Sequence, residues 1–466
     1  MTRSRRPNIV VILADDLGWG DLGAFGNPDT RTPHLDALAD SGVVLTQHYS
    51  ASAVCAPARA GLLTGRYPHR TGAIDTLEGR GLDRLALDET TLADALKAAG
   101  YATGLVGKWH LGALDPAYHP NRRGFDEFVG FRGGWQDYFD WNLDVNGSRR
   151  RRDGRYLTDV FSDEAIAFIE RHAAEPFFLH VAYNAPHTPL QVPDEDAAPF
   201  RETGKFHEAV CRLYGMITRM DAGVGRILET LDRLGIAKNT LILFTSDNGP
   251  QFGSELGPGS LRRFNGHFNG QKGTVYEGGL RVPAIVRWPA GLPGDGRGVS
   301  DLVHFTDWLP TLLAVAGEPS PSGGLPRDGQ NALPLLRGER GQTNSVRFWQ
   351  WNRYTPIATS NAAMRDGPWK LVRPAVPQTM VVSPEDLALD RRLKYEPDTV
   401  TDIERGPEPE RTLPEVMPVP LLFDLAADPY EQNDLSAVYP DRVRAMEAAL
   451  ERWFEGVERD RRRREL

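Results

Sequence analysis

The chain contains 466 residues, 40% hydrophobic and 25% charged, a composition that excludes a disordered protein and allows one large globular domain plus a smaller one. Its 54 basic and 63 acidic residues give a net charge of −9, which argues against a general nucleic-acid binder. Two cysteines, Cys55 and Cys211, are too few for a disulfide framework, and Cys211 falls in an apolar helical pattern typical of a core.

The first predicted element is a buried strand over Asn8–Ala14, which follows a basic start and so imitates the beginning of a signal peptide. The apolar run is short, ends at Asp15 and Asp16, and lacks a small-residue cleavage site. No apolar run approaches the roughly 20 residues of a membrane-spanning helix. We therefore expect no membrane partner and a cytoplasmic location, or a periplasmic one if a leader has been removed.

The most informative segment begins at Cys55, where Cys-Ala-Pro-Ala-Arg leads into Ala-Gly-Leu-Leu-Thr-Gly-Arg. Pro57 suits the first turn of a helix, where its missing N–H costs nothing, so we predict a helix that begins just after Cys55. The cysteine would then lie at an anion-binding position, and Arg59 could lean back toward it. Taken alone, Cys55 is as well explained as a small buried hydrophobe and Arg59 as a solvated helix residue.

Three later apolar runs, at residues 102–106, 177–182 and 241–245, also have strand character, and polar loop residues follow each of them. Before the last run, apolar residues recur at helical spacing over residues 210–231. This alternation predicts an α/β fold with a mostly parallel sheet that helices cover on both faces. Ligands of such sheets bind beyond the carboxyl ends of the strands, so the loops there are the expected site.

Acidic and amide side chains follow two of these strands. Asp15 and Asp16 come after the first strand, and Asp247-Asn248-Gly249 comes after the last. Their oxygens would suit a hard cation such as calcium or magnesium better than zinc. Either segment alone is more often ordinary turn chemistry.

Cations and imidazoles follow the other strands. Lys108 and His110 lie in Gly-Lys-Trp-His-Leu-Gly and would face the same side of an extended segment. His187 lies in the proline-stiffened loop Asn-Ala-Pro-His-Thr-Pro, and Lys272 lies in a glycine-rich loop at residues 271–283. Each of these residues alone could be an ordinary surface or core residue.

Taken together, the segments resemble the sulfatase family, whose CxPxR, GKWHLG, metal-ligand and lysine-loop signatures they match in order from residue 8 to residue 283. A weaker match covers residues 422–431. The resemblance implies an alkaline phosphatase-like fold, with a catalytic α/β domain over residues 1–340. It also implies a smaller C-terminal α+β subdomain over residues 341–466, with an antiparallel sheet and a closing helix. Trp349, Trp351, Tyr354 and Trp369–Arg373 have the β-rich character of its strands.

The resemblance also implies the chemistry at residue 55. Cys55 would be oxidised after synthesis to formylglycine, whose hydrate attacks the sulfur of a sulfate ester. One divalent cation would assist, with calcium expected before magnesium. Its implied ligands are Asp15, Asp16, Cys55, Asp247 and Asn248.

The remaining implied catalytic residues hold charge or move protons. Lys108 and Lys272 would hold the sulfate oxygens, and Arg59 would orient the hydrate. His187, helped by Lys272, would protonate the leaving alcohol. His110 would then remove a proton from the second hydroxyl, which expels sulfate and restores the aldehyde.

Rival functions remain open at this stage. A phosphonate or phosphate diester hydrolase of the same superfamily could use the same nucleophile, although Asn248, where many of those enzymes carry histidine, favours sulfate. A non-catalytic anion-binding protein would keep Cys55 as a thiol. A two-zinc phosphatase is disfavoured because it needs Ser or Thr as nucleophile. The expected partners are a small-molecule or carbohydrate sulfate ester, a formylglycine-generating enzyme during maturation and, as an open option, a second copy of the chain.

Two further segments bear on substrate choice. The aromatic run at residues 130–141 could form a platform for a sugar or aryl ring, although such clusters are more often core. A long stretch rich in proline and charge, residues 374–420, interrupts the C-terminal subdomain where a short connection is expected. Long structureless loops tend to be functional or disordered, so we hypothesise that it shapes the pocket rim or a subunit contact.

Overall fold

The computed structural model describes residues 6–318, 324–339 and 346–463. The predicted domain boundary between residues 340 and 341 lies outside these residues. The strands are β1 (Asn8–Ala14), β2 (Val43–Leu45), β3 (His48–Tyr49), β4 (Ala102–Lys108), β5 (Glu127–Phe131), β6 (Asn142–Val145), β7 (Ser148–Arg151), β8 (Phe177–Ala182), β9 (Thr240–Ser246), β10 (Ala284–Arg287), β11 (Arg297–Val299), β12 (Val303–His304), β13 (Arg347–Gln350), β14 (Ala362–Asp366), β15 (Trp369–Arg373) and β16 (Leu421–Asp424).

Helices connect these strands and cover them. They are α1 (Pro33–Asp40), α2 (Cys55–Thr64), α3 (Pro68–Thr71), α4 (Leu92–Ala98), α5 (Leu157–His172), α6 (Asp194–Arg201), α7 (Glu208–Arg233), α8 (Glu277–Leu280), α9 (Trp308–Val315), α10 (Leu333–Leu336), α11 (Pro384–Tyr395) and α12 (Pro440–Arg462). No helix among the described residues is long and apolar enough to cross a membrane.

Ten strands form one large sheet in the order β11-β2-β10-β9-β1-β8-β4-β5-β6-β7. The four strands predicted from the sequence, β1, β4, β8 and β9, are confirmed and lie side by side in its centre. They run parallel, as the sequence predicts, with Val10 of β1 opposite Ile242 of β9 and Leu179 of β8. The carboxyl ends of the four strands therefore meet at one edge of the sheet.

Both faces of the large sheet are covered, which explains why β1 is buried along its whole length. Alternate residues of β1 point to opposite faces. Val10 and Ile12 pack in a core with α5 and α7, whereas Ile9, Val11 and Leu13 pack in a second core with α2, α4 and α9. Cys211, in α7, is buried in the first core, as expected.

The C-terminal part contains the predicted antiparallel sheet, in the order β13-β14-β15-β16, and α12 is the predicted closing helix. Met446 and Leu450 of α12 pack on Leu371 of β15. The expectation that Trp351 and Tyr354 belong to strands is wrong, because β13 ends at Gln350 and the chain then turns. The stretch at residues 374–420 is also not structureless, since it contains the 12-residue helix α11.

Candidate active site

Cys55 is the first residue of α2, one position later in the helix than predicted, and Val54 before it is extended. Pro57 lies in the first turn, where its missing N–H leaves no partner unsatisfied. All ten residues of α2 are buried, and Cys55 is only 2% exposed. Its Sγ lies 3.4 Å from Asp15 Oδ1, so the cysteine begins a buried helix and faces the end of β1.

The acidic residues of the site meet because β1 and β9 are parallel neighbours with Ala14 opposite Ser246. Asp16 N donates to Asp247 Oδ1 at 3.2 Å, and Asn248 Nδ2 donates to Asp16 Oδ1 at 2.8 Å. Asp16 adopts a left-handed backbone with φ of 65°, an uncommon conformation that often marks functional sites. The two predicted metal-ligand segments are thus brought together at one edge of the sheet.

The two predicted lysines also reach this edge. Lys108 is the last residue of β4, and its Nζ lies 2.6 Å from Asp15 Oδ2. Lys272 comes from the glycine-rich loop, and its Nζ lies 2.7 Å from Asp16 Oδ1. Each ammonium therefore balances one buried carboxylate.

The side chain of Arg59 connects α2 to Asp247 and to the end of β4. Its Nε and Nη2 both donate to Asp247 Oδ2, at 3.0 and 2.8 Å, and its Nη1 donates to the carbonyl of Lys108. The alternative of a solvated Arg59 is wrong, because the side chain is buried. In this structure Arg59 fixes Asp247 and the end of β4 relative to α2.

Two glycines, one within β4 and one in the loop after β5, allow close approaches of the backbone near the site. A Cβ on Gly107, whose φ is 112°, would lie 1.9 Å from the carbonyl oxygen of Ala182. A Cβ on Gly134 would lie 2.4 Å from His110 Cε1. The imidazole of His110 therefore packs directly on the backbone of the aromatic loop, and its Nε2 lies 3.7 Å from Glu78 Oε1.

His187 approaches from the loop after β8. Its Nε2 lies 3.8 Å from Asp16 Oδ2, and its Nδ1 lies 2.6 Å from the carbonyl oxygen of Thr188. A carbonyl can only accept, so this contact places the ring proton on Nδ1 and leaves Nε2 as an acceptor facing the site.

Burial and the two lysines keep both imidazoles neutral. Burial, followed by the charge of Lys272, lowers the pKa of His187 to about 3. Burial, followed by the charge of Lys108, lowers the pKa of His110 well below its usual value. A neutral imidazole can act as a base, which is the role predicted for His110.

The acidic groups are shifted in different directions. Burial, reinforced by the charge of Asp15, raises the pKa of Asp247 to about 6. Burial is the largest influence on Asp16 and raises its pKa, but the charges of Lys272 and His187 and the hydrogen bonds from Lys272 and Asn248 together leave the pKa below its usual value. For the Cys55 thiol, burial and the charge of Asp15 raise the pKa, so an unmodified cysteine is held as a thiol and is a poor nucleophile.

The residues at this edge fit a hard cation. Asp15, Asp16, Cys55 and His187 each offer a ligand atom, and these atoms lie within 4.8 Å of one another. Asn248 Oδ1 is buried beside them without a hydrogen-bond partner, which leaves an oxygen open for coordination. Carboxylate and amide oxygens are the ligands that calcium and magnesium prefer.

The geometric group and the predicted ligand set overlap without being identical. His187, predicted as an acid, belongs to the group. Asp247, predicted as a ligand, lies beside the group with Oδ2 bound to Arg59 and Oδ1 accepting from Asp16 N.

A cavity of about 600 Å³ opens above Cys55, and part of its lining was not predicted. Glu78 is the main omission: Gly134 N donates to its Oε1 at 2.5 Å, and burial, followed by the charge of Asp83, raises its pKa to about 8. Its sequence context is an ordinary turn, so no local pattern indicated a site. Arg353 is a second omission, held by Asp75 at 3.0 Å on the rim.

The two segments singled out for substrate choice also contribute to this cavity. In the aromatic run, Trp135 lines the cavity, whereas Tyr138 and Trp141 are buried in the core. Residues of the 374–420 stretch, among them Leu387 and Asp390 of α11, line its rim. The pocket-rim hypothesis for that stretch is therefore consistent with the geometry.

The class of protein follows from this combination. Carboxylates, cations and imidazoles at the carboxyl edge of a mostly parallel, helix-covered sheet define a hydrolase of alkaline phosphatase-like fold, as predicted. A sequence model described as Sulfatase matches residues 7–318. The chain belongs to the sulfatase family.

Similar curated proteins include mouse (Mus musculus) steryl-sulfatase, 37% identical over 424 residues, covering 72% of this chain and 66% of the mouse protein. Human (Homo sapiens) N-acetylgalactosamine-6-sulfatase is 36% identical over 401 residues, covering 74% of this chain and 72% of the human protein. The chain thus spans slightly less than two thirds of the mouse relative. These relatives are sulfuric ester hydrolases, which confirms the predicted enzyme class.

Solved structures similar to this chain support the same family and fold. Ps i-CgsB in complex with k-i-k-neocarrahexaose has a TM-score of 0.79 at 32% identity, covering 96% of this chain and 93% of that one. BT33336S-sulf, from a study of glycosaminoglycan metabolism by Bacteroides thetaiotaomicron, has a TM-score of 0.72 at 28% identity, covering 96% and 99%. Phosphonate monoester hydrolase of Agrobacterium radiobacter, with a TM-score of 0.61 at 21% identity and coverage of 98% and 96%, shares the fold.

Proposed function

We propose that the protein hydrolyses sulfate monoesters by means of a formylglycine made from Cys55 and one divalent cation, calcium before magnesium. The observation that carries the proposal is the placement of Cys55 at the start of a buried helix, 3.4 Å from Asp15 and beside the Asp15–Lys108 and Asp16–Lys272 pairs.

The environment of Cys55 supports a modified residue. Burial and the charge of Asp15 keep the pKa of the thiol high, so the unmodified side chain lacks the thiolate that cysteine chemistry needs. A formylglycine hydrate supplies one oxygen for attack on sulfur and a second hydroxyl whose deprotonation releases sulfate. A bound cation supplies a Lewis acid, with Asp15, Asp16, Asn248 and residue 55 to hold it and Asp247 beside them.

The residues of the chain divide the remaining work. Lys108 and Lys272 provide positive charge where the sulfate oxygens would lie. Arg59 keeps Asp247 and α2 in register, and His110, neutral in the free site, accepts the proton of the second hydroxyl.

The proton for the leaving alcohol must come from a group that is protonated when substrate is bound. His187 Nε2 is an acceptor in the free site because Nδ1 faces the carbonyl of Thr188. An anionic substrate would raise the pKa of a neighbouring imidazole, which favours protonation of His187 in the bound site over the free one. Lys272, whose pKa the charge of Asp16 keeps high despite burial, is the second donor within the site.

The first test is mass spectrometry of the peptide that contains residue 55, in protein made together with a formylglycine-generating enzyme. We expect the aldehyde mass and turnover of an aryl sulfate that requires added calcium or magnesium. Cys55→Ala should lose that turnover while keeping the same melting temperature. An intact thiol in fully active protein would contradict the formylglycine proposal.

A second assay separates the rival functions. Turnover is compared on paired aryl sulfate and aryl phosphonate esters with the same leaving group. We expect the sulfate ester to be preferred in kcat/KM. Preference for the phosphonate would identify the superfamily alternative, and anion binding without turnover of either ester would identify a binding protein.

A further inference from the structure

A second cavity of about 650 Å³ adjoins the cavity above Cys55. Four residues line both cavities and mark the boundary between them: Glu78, Trp135, Asp390 and Lys394. A chain-like ligand that crosses Trp135 would reach from the first cavity into the second. We call the two cavities together the long groove.

Helix α11 forms one wall of the long groove and is firmly held. Arg80 Nε lies 2.6 Å from Asp386 Oδ1, and Tyr354 OH donates to Asp386 Oδ2 at 2.7 Å. A Cβ on Gly79 would lie 2.5 Å from Leu389 Cδ2, so the helix packs closely on the segment that carries Glu78. The wall of the second cavity that α11 provides is therefore held in place by the fold.

The surfaces of the second cavity suit a carbohydrate. The half-buried Trp135 meets Tyr395 with ring centroids 5.2 Å apart, which forms an aromatic edge at the boundary of the two cavities. Sugar rings present C–H faces that pack on aromatic rings and hydroxyls that bond to carboxyl and amide groups. Such groups on the lining are Gln136, Asp137, Asp140, Asn142 and Asp144.

The charges of the second cavity do not suit another sulfate. Its lining cations already have protein partners: Arg149 lies 2.9 Å from Asp398, Lys394 lies 2.7 Å from Asp390, and Arg132 donates to the carbonyl of Ala113. Five aspartates line the same cavity against these three cations, so a further anion would meet net negative charge there: Asp137, Asp140, Asp144, Asp390 and Asp398. Uncharged sugar units fit better than sulfated or uronate units.

We infer that the substrate is a sulfated oligosaccharide whose sulfate enters the Cys55 cavity and whose neighbouring, uncharged sugars lie across Trp135 and Tyr395 in the second cavity. This inference rests on the proposed sulfatase activity and names its substrate class. An aryl or steroid sulfate would occupy the first cavity and leave the second without a role.

The test compares galactan and fucan tetrasaccharides that carry a single sulfate, each with the monosaccharide sulfate of the same sugar and position, beside 4-nitrophenyl sulfate. A chondroitin tetrasaccharide, whose uronates are charged, should show no gain over its monosaccharide sulfate. We expect at least one tetrasaccharide to exceed its monosaccharide in kcat/KM by about tenfold or more, the upper range for an aromatic contact. Tyr395→Ala should remove most of that gain. Because the neighbouring sugars are uncharged, the gain should persist between about 0.05 and 0.5 M salt.

Tyr439→Ala is the matched control. Tyr439 is exposed like Tyr395, and its ring meets a tryptophan in the same way, with centroids 5.1 Å from Trp369, but it lies outside the long groove. The control should keep the full gain of the tetrasaccharide over the monosaccharide. A gain lost equally in both variants would mean a general effect on stability and would contradict the inference.

The outcomes separate this inference from the proposed function. Hydrolysis of 4-nitrophenyl sulfate without any tetrasaccharide gain, or a gain that Tyr395→Ala leaves intact, overturns the long-groove inference alone. If no ester is hydrolysed, the proposed function fails, and calorimetric binding to Cys55→Ala decides the groove. There, a tetrasaccharide should bind about tenfold more tightly than its monosaccharide, and the Cys55→Ala/Tyr395→Ala double variant should lose that difference; equal binding overturns the inference.

Discussion

Two buried clusters of charged and polar residues lie close together in this protein, and they differ in whether a ligand can reach them. The active-site cluster comprises the Asp15–Lys108 and Asp16–Lys272 pairs, Arg59, Asp247 and Asn248. The inter-sheet cluster comprises Tyr49, Glu277, Lys370 and Glu431. Glu277 follows Lys272 by only five residues, so one loop serves both clusters.

The inter-sheet cluster is closed. Lys370 of β15 lies 2.9 Å from Glu277 Oε1 and 2.8 Å from Glu431 Oε1. Tyr49 OH donates to Glu277 Oε2 at 2.6 Å, and Glu277 N donates to Glu431 Oε2 at 2.7 Å. These contacts join the small sheet to the catalytic part, and none of the four residues lines either cavity of the long groove.

The active-site cluster, by contrast, opens onto a cavity and retains the unpartnered Asn248 Oδ1. Its carboxylates converge on one another as well as on cations. Buried charge alone therefore does not identify a functional site. Two features distinguish the cluster that binds a ligand from the one that stabilises the fold. The first cluster opens onto a cavity, and it contains a buried acceptor that no donor among the described residues contacts.

The largest expected effect is on stability, at the inter-sheet cluster. Lys370→Met leaves Glu431 buried without its cation and Glu277 with only Arg281, 3.5 Å away, and should lower the free energy of unfolding by about 3–5 kcal/mol. Urea unfolding measures the change. Adding Glu277→Gln should recover part of the loss, and the activity of the remaining folded protein should be normal; loss of activity without loss of stability would reverse the assignment of the two clusters.

The next effect is on catalysis. Lys272→Ala removes a cation from the sulfate site and should lower kcat/KM for an aryl sulfate by about 10²–10³-fold. Steady-state kinetics measure it. Lys205→Ala is the matched control, because Lys205 Nζ also lies 2.7 Å from an aspartate, Asp29, but at the surface. An equal loss in both variants would contradict a role for Lys272 in the site.

Metal removal should give a smaller change in stability. A cation present at 100 times its Kd stabilises the folded state by about 2.7 kcal/mol, so chelation should lower the melting temperature and calcium should restore it. Asn248→Ala should weaken this calcium response by about 10–100-fold in Kd, whereas the exposed Asn433→Ala should leave it unchanged. A chelator that changes nothing would remove the case for a bound cation.

The smallest effect is on the pH dependence of stability. Burial raises the pKa of Glu431 from 4.5 to about 7, although Lys370 opposes the shift. The folded state then binds more protons than the unfolded state between these values, so this group's contribution is full below about pH 4.5 and is lost as pH rises toward 7. Glu431→Gln should remove this decline, at most about 1.4 kcal/mol per pH unit. If the free energy of unfolding depends on pH in the same way in the variant and the wild type, this role of Glu431 is contradicted.

Much of the site was predictable because its residues sit directly after the strands that position them. Asp15, Lys108, His187 and Asp247 each follow or end a run of apolar residues that the sequence marks as a strand. The parallel arrangement of those strands then places their ends together without further information. Pro57 similarly indicated the start of α2 to within one residue.

Other features depend on segments that meet only after folding. Glu78 lies in a turn without a distinctive pattern, and α11 lies in a stretch whose proline and charge content suggested an irregular loop. The proline at the start of α11 suits the first turn of a helix. Because much of α11 is exposed, its sequence lacks a clear apolar stripe, and hydrophobic periodicity therefore gives little indication of a helix. Its place in the protein comes from contacts with Gly79, Arg80 and Tyr354.

Local sequence patterns specify the central strands, the helix that begins at Cys55 and the residue types that reach the sheet edge, because periodicity, proline geometry and strand ends act over short distances. The packed fold sets which carboxylate pairs with which cation, as in the contact between Asp16 and Lys272 across 256 positions. It also decided that a second cluster is closed and that a second cavity adjoins the first. Those outcomes depend on how distant segments pack and exclude water, which no local pattern encodes.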